Sequence, residues 1–341
     1  MSYERGMAAI RLQSPDEIPH TQYISHPRLA TALTGLAPDD PRLGEEYARV
    51  LDLDLHWSTD APQVQGRLTN MGHAVWLEDG SDFDTNIQCP FATPEEVLAF
   101  DPVAEYGIPD VDEQAARYQA QWTATQRQTD GVLTGGIYRT LFSFAIAAFG
   151  WDMFLTAAAL DEERFDRVLD GFFRIIMAYT QAWAKTDLEV FLTHDDIVWT
   201  QGAVFHPDWY RRHVFPRYRA YWEVVRDAGK PVLFCSDGDY TEFIDDLAAA
   251  GAQGFIFEPL TDLDYVVSRY GKTHVIIGNA DTRILTFGSK EQVWDEVRRC
   301  IDAGRDCPGY FFAIGNHIPH NVPVENAVEC FRAYWALRRR R

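Results

Sequence analysis

A thiol and two carboxylates crowd the pentad Cys235-Ser236-Asp237-Gly238-Asp239, directly after an apolar run at residues 232–234. A thiolate can ligate a soft metal, a carboxylate can bind a metal or accept a proton, and Gly238 lets the chain turn tightly behind them. Asp239 fits better as the cap of a following helix. A second cluster, His194-Asp195-Asp196, follows the run 188–193. Successive strand side chains point to opposite faces, so His194 and Asp196 share a direction while Asp195 takes the other. One acid is expected to bond the loop backbone and the other to move a proton. Glu258 stands alone after 254–257, and Asn279 and Asp281 follow 275–277. After 310–314 come Asn316, His317, His320 and Asn321. Two histidines three apart past a strand are candidate metal ligands, with His317 the stronger.

Each of these groups ends an apolar run, and the runs recur at the interval of a strand plus a helix. A parallel strand buried on both faces reads as such a run, and polar residues at its end are aimed at a mouth. The intervening helices stop at or near Gly229, Gly251, Gly271 and Gly304. No Gly-X-Gly-X-X-Gly or Gly-X-X-X-X-Gly-Lys loop occurs, which disfavours an open nucleotide-binding sheet. The expected fold class is α/β: a (β/α)8 TIM barrel occupying 1–341 as one domain, with an irregular N-terminal extension. Residues 131–341 read as regular β/α units, starting with a strand at 131–137, apolar stretches at 141–148 and 154–160, and a helix from Asp161 to about Lys185. Residues 1–130 read as cover plus first strands, with strands at 51–57 and 73–77, helices at 94–100 and 112–128, and no clear period over 83–90.

The formal net charge of -20 argues against a nucleic-acid partner. The tail Arg338-Arg339-Arg340-Arg341 reads as a solvated helix end. Five cysteines without a Cys-X-X-Cys pair do not resemble a disulfide framework. No secretory signal and no run of about twenty apolar residues is evident, so a cytoplasmic protein without membrane contact is expected. Lys185, Lys230, Lys272 and Lys290 all read as helix or turn positions, which disfavours Schiff-base chemistry. A homodimer is compatible with these properties.

The ordered blocks from Gly131 to Arg338 resemble the uroporphyrinogen decarboxylase superfamily. They comprise Gly150-Trp151-Asp152-Met153 with Leu160-Asp161; Asp195-Asp196-Ile197 through Gln201 to His206-Pro207; Phe215-Pro216-Arg217-Tyr218; residues 229–239; Glu258-Pro259; Gly278-Asn279 with Asp281; and Pro323-Val324-Glu325-Asn326. The resemblance implies a (β/α)8 barrel with its site at the C-terminal mouth. It also implies one of two chemistries: cofactor-free decarboxylation of porphyrinogens, or metal-dependent methyl transfer with a corrinoid protein or a thiol. The decarboxylases carry an early arginine-rich motif that holds substrate carboxylates, and nothing in the first hundred residues here resembles it. The methyltransferases hold zinc with a His-X-Cys-Gly segment and a later cysteine. Here the matching positions are Cys235 and Asp237, the later one falls on Asn316, and His317 is next to it.

The resemblance and the residues together give a first reading of a methyltransferase acting on a small-molecule substrate, with a corrinoid or thiol acceptor. Cys235, Asp237 and His317 would form an altered zinc site, His194, Asp196, Asp237 and Glu258 would be catalytic, and Tyr138, Gln201, Asn279 and Asn316 would bind substrate. The alternatives are a cofactor-free decarboxylase using Asp196 or Asp237, and a barrel that binds a small molecule or a corrinoid protein without turnover.

Overall fold

The structure, a computed structural model, describes residues 2–23, 26–69 and 88–340. The strand expected at 73–77 and most of the unpatterned stretch 83–90 lie outside the described residues. Ten short strands are assigned among those described: β1 (Leu55–His56), β2 (Val132–Leu133), β3 (Gly135–Tyr138), β4 (Phe191–His194), β5 (Val198–Trp199), β6 (Gly202–Ala203), β7 (Val232–Ser236), β8 (Gly254–Phe257), β9 (Val275–Ile277) and β10 (Tyr310–Phe311). Six of them form one sheet in the order β10-β9-β8-β7-β4-β3, every pair parallel. β1 and β2 pair in parallel, and β5 and β6 form a small antiparallel hairpin.

Single-residue parallel bridges join these pieces into a circuit: His20 with Phe312, Thr21 with Leu55, and Asp60 with Ile137. The Thr21 amide donates to Phe312 and the Asp54 amide to His20, at 3.1 and 2.8 Å. The fold is therefore the TIM barrel expected, with residues 20–21 supplying a segment too short to be assigned as a strand. Strand alternation separates two apolar layers. Leu55, Val132, Leu192, Leu233, Cys235, Ile256, Ile277 and Phe311 share the inner cluster, whereas Phe191, Phe234, Phe255, Ile276 and Tyr310 pack with the helices outside.

Helix Tyr3–Ile10 adds Met7, Ala9 and Ile10 to the inner cluster and so closes the barrel's N-terminal end. A Cβ on Gly6 would stand 2.3 Å from the Asp54 carbonyl oxygen, so glycine is needed for this approach. The Arg5 guanidinium donates twice to the fully buried Asp54 carboxylate, each at 2.8 Å. Arg5 also bonds Asp52 and Glu17, and Arg338 bonds the same two acids. This network ties both ends of the chain to the segments that complete the circuit.

Several expectations change. The N-terminal part is more regular than expected, with helices at Tyr3–Ile10, Pro27–Thr34 and Leu43–Leu51; Leu51 ends the third instead of starting a strand. The stretches 141–148 and 154–160 belong to Leu141–Leu160, which Gly150 interrupts at φ 71 and ψ 163. By length and composition this helix could cross a membrane, contrary to the expected absence of such a run. However, 72% of its most apolar window is buried, as befits a core helix. Two helices, Pro207–His213 and Phe215–Asp227, follow the β5–β6 hairpin. The arginine tail is not merely solvated: Arg338 pairs with buried-side acids, and Arg340 donates to the Arg305 and Cys307 carbonyls.

Two outcomes follow for stability. Asp54→Ala strands the mostly buried Arg5 without its bidentate partner, and urea denaturation should show a loss of about 3–5 kcal/mol; a loss below about 1 kcal/mol would mean the pair behaves as a surface bridge. His20 is fully buried, with Nδ1 2.7 Å from the Leu51 carbonyl oxygen. Burial, only partly opposed by that bond, lowers its pKa to about 4. The unfolded chain then binds a proton that the fold refuses between about pH 6.5 and 4, so acidification through this window costs roughly 3 kcal/mol from this residue. His20→Asn, which keeps a donor near Leu51 without titrating there, should flatten stability against pH across the window; an unchanged slope would contradict the assignment.

Candidate active site

The C-terminal ends of the strands open on a cavity of about 550 Å³. β3 delivers Tyr138, β4 delivers His194, and β7 delivers Cys235 and Ser236, with Asp196 and Asp237 just beyond. The segment past β10 adds Asn316 and His317. Register accounts for the grouping, because Tyr138 lies level with His194 and His194 with Cys235. Two residues earlier on the same face, Leu192 lies level with Leu233.

Asp195 faces away, as alternation requires. Its fully buried carboxylate accepts the amides of Phe142 at 2.9 Å and Ser143 at 2.6 Å, and the Tyr218 hydroxyl at 2.6 Å. It thereby serves the first turn of helix Leu141–Leu160, whose N-cap residue Thr140 makes no side-chain capping bond. Burial raises the pKa of Asp195 despite these donors. Of the two acids after β4, Asp195 is thus the structural one.

Asp196 belongs to the cavity. Its Oδ1 lies 3.1 Å from His194 Nε2 and accepts the Asp237 amide at 3.0 Å. One ligand atom from each of His194, Asp196 and Asp237 lies within 4.8 Å of the others. Glu258 stands just behind the wall, where Oε2 accepts the Gly238 amide and Oε1 accepts Asn316 Nδ2, both at 2.8 Å. Asn316 Oδ1 accepts the His317 amide at 2.7 Å and faces His317 Nδ1 at 2.9 Å. Glu258 and Asn316 therefore lock the ends of β7 and β10 to one another.

Proton affinities in the cluster are displaced. Burial is the largest influence on Asp237; the Asp196 and Glu258 carboxylates add to it, and the pKa stands well above the carboxylate range. Burial works against a charged His194, but Cys235 and Asp196 outweigh it and hold that pKa well above the imidazole value. Burial pushes the Cys235 thiol up, with His194 opposing. Burial, helped by His320, lowers His317 to about 4, so it is neutral near pH 7. The raised pKa values favour proton uptake by this cluster, so a proton and a cation would compete for it.

The metal set expected at Cys235, Asp237 and His317 is not the one that converges. Among the described residues, the trio at ligand distance is His194, Asp196 and Asp237. Cys235 lines the same cavity beside His194, and His317 packs edge-on to Tyr23 with ring centroids 6.2 Å apart. Of the expected substrate-binding residues, Tyr138 and Asn316 line the cavity, whereas Gln201 is exposed at the β5–β6 turn. Asn279 is buried in structural bonds: Nδ2 donates to the Thr261 carbonyl at 3.1 Å and Oδ1 accepts from Arg299 at 3.1 Å. Tyr23, Trp57, Ser58 and Thr59 also line the cavity and were missed. A signal for three of them was present, since the run ending at Trp57 is followed by Ser58-Thr59-Asp60 in the same strand-end pattern.

Residues 67–335 match the family model described as uroporphyrinogen decarboxylase (URO-D). A uroporphyrinogen decarboxylase of Syntrophotalea carbinolica is 28% identical over 215 residues, 60% of this chain and 61% of that protein. One from Salinispora tropica is 32% identical over 117 residues, 34% of this chain and 31% of that protein. The chain thus spans about three fifths or less of the length of these curated relatives. A methyltransferase from Methanosarcina mazei shares the fold, with a TM-score of 0.65 over 97% of both chains at 16% identity. With most of its length matched by the family model, the chain belongs to the uroporphyrinogen decarboxylase family.

Proposed function

We propose that this protein is a metal-dependent methyltransferase acting on a small molecule that is not a polycarboxylate. The observation that carries this reading is the His194–Asp196–Asp237 cluster in a cavity with no Lys or Arg among its described lining residues. A polycarboxylate would meet acids there and no guanidinium or ammonium partner. One imidazole and two carboxylates are a donor set that suits zinc or a similar divalent ion. When bound, such an ion supplies Lewis acidity and lowers the pKa of an acceptor thiol. The methyl acceptor in this reading is a thiol or a corrinoid protein.

The chain's own groups have separable tasks. Asp196 orients His194 through the 3.1 Å contact, and the Tyr138 ring packs edge-on against that imidazole at 4.8 Å. Glu258 and Asn316 hold the two strand ends and leave Asp237 facing the cavity. Burial and the neighbouring Asp196 and Glu258 carboxylates raise the pKa of Asp237, so a proton and a metal ion would compete for its carboxylate. A second reading, metal-free decarboxylation with Asp237 as the proton donor, is favoured by the names of the curated relatives.

Zinc reconstitution separates the two. The wild-type protein should retain about one ion per chain after desalting. Asp237→Asn and His194→Ala should each weaken binding at least about 10-fold, and Cys235→Ala should keep it. Because His194 and Asp237 must both shed protons held at raised pKa, affinity should fall as the pH is lowered. A protein that holds no zinc and releases carbon dioxide from a porphyrinogen would replace the first reading with the second. A protein that is inactive in labelled-methyl transfer and in decarboxylation would be a binding barrel.

A further inference from the structure

The proposed methyltransferase leaves its methyl donor open, and the cavity wall narrows the choice. Tyr23 and Trp57 stand with ring centroids 6.0 Å apart, Tyr23 meets His317 edge-on at 6.2 Å, and Tyr138 lines the neighbouring strand end. These rings share the cavity with Asp196 and Asp237. Glu258 adds a further carboxylate whose partners are the neutral donors Gly238 and Asn316. A divalent ion on the cluster would offset the charges of Asp196 and Asp237, while Glu258, behind the wall, also interacts electrostatically with Arg283.

We propose that the cavity takes a methylated onium group, a quaternary ammonium or sulfonium, as its methyl donor, with Tyr23 and Trp57 receiving the cation beside the acidic cluster. The inference rests on the methyltransferase reading. An onium spreads its charge over several methyl groups and is weakly hydrated, so aromatic faces and nearby carboxylates can replace its water at little cost. No lysine or arginine lines the described wall, and because the Arg139 guanidinium stands 5.5 Å from the Tyr138 ring centroid, Tyr23 and Trp57 are the rings open to a further cation.

The chemistry balances without an oxidant. The C–N or C–S bond of the donor breaks and its electron pair stays on the departing amine or sulfide, which leaves neutral and needs no protonation. The methyl carbon forms a new C–S bond to an acceptor thiol, whose proton passes to solvent.

The test compares choline with 3,3-dimethylbutan-1-ol, which has the same outline but a neutral carbon in place of nitrogen, by calorimetry on the zinc-loaded protein. Choline should bind about 10-fold more tightly or better. That preference should vanish in Trp57→Leu and survive in Trp57→Phe, and Tyr23→Leu, at a half-exposed position, serves if the tryptophan variant does not fold. Equal binding of the two probes, or a preference for the neutral one, overturns the inference. If such a protein still methylates a thiol from a neutral methoxyarene, the methyltransferase reading stands alone. If choline is preferred but its methyl never reaches a thiol, the cavity binds an onium without drawing a methyl group from it, and the donor assignment is overturned.

Discussion

The buried carboxylate of Asp195 joins the sheet to its helical coat, and the geometry of the mouth depends on that join. By accepting the Phe142 and Ser143 amides and the Tyr218 hydroxyl, it fixes the end of β4 against helices Leu141–Leu160 and Phe215–Asp227. With Asp195 committed outward, alternation turns His194 and Asp196 toward the axis. Ser143 reinforces the join, since its hydroxyl accepts the Asp196 amide at 2.7 Å. The chemistry-bearing side chains are therefore placed by an acid that takes no part in chemistry.

A second set of bonds works from the other side of the barrel. Glu258 and Asn316 tie the turn at Gly238 to the segment after β10, and the Ser236 hydroxyl accepts the Ile197 amide at 3.3 Å. Two strand ends are thus bound to neighbours before any ligand arrives, which keeps His194, Asp196 and Asp237 within reach of one another. Pre-set geometry of this kind reduces the ordering that binding would otherwise require. At the opposite end, Arg5 and Asp54 hold the plug helix in the barrel, so stability and function are served by different ends of the same strands.

Much of this was legible in the sequence because parallel strands write themselves as apolar runs. The runs at 254–257 and 275–277 coincide with β8 and β9, and Tyr138, His194, Asp196, Cys235, Asp237, Asn316 and His317 all reach the cavity. What was missed is physically different. The circuit closes through residues 20–21, a piece too short to show a period, so Tyr23 was not placed at the mouth, and the run ending at Trp57 was read as a strand without its polar end being counted with the others. Asn279 follows its strand as a site residue would, yet its amide is taken by the Thr261 carbonyl and by Arg299, partners distant in the chain. The grouping of His194 with Asp196 and Asp237 depends on how side chains from β4 and β7 meet across neighbouring strands, which residue spacing along one strand does not encode.

In the proposed site, His194, Asp196 and Asp237 hold a metal through nitrogen and oxygen. X-ray absorption at the zinc edge of the loaded protein tests it most directly. The zinc-loaded protein should show a shell of light scatterers at about 2.0–2.2 Å and no sulfur. A sulfur scatterer near about 2.3 Å would place Cys235 in the shell and contradict the assignment.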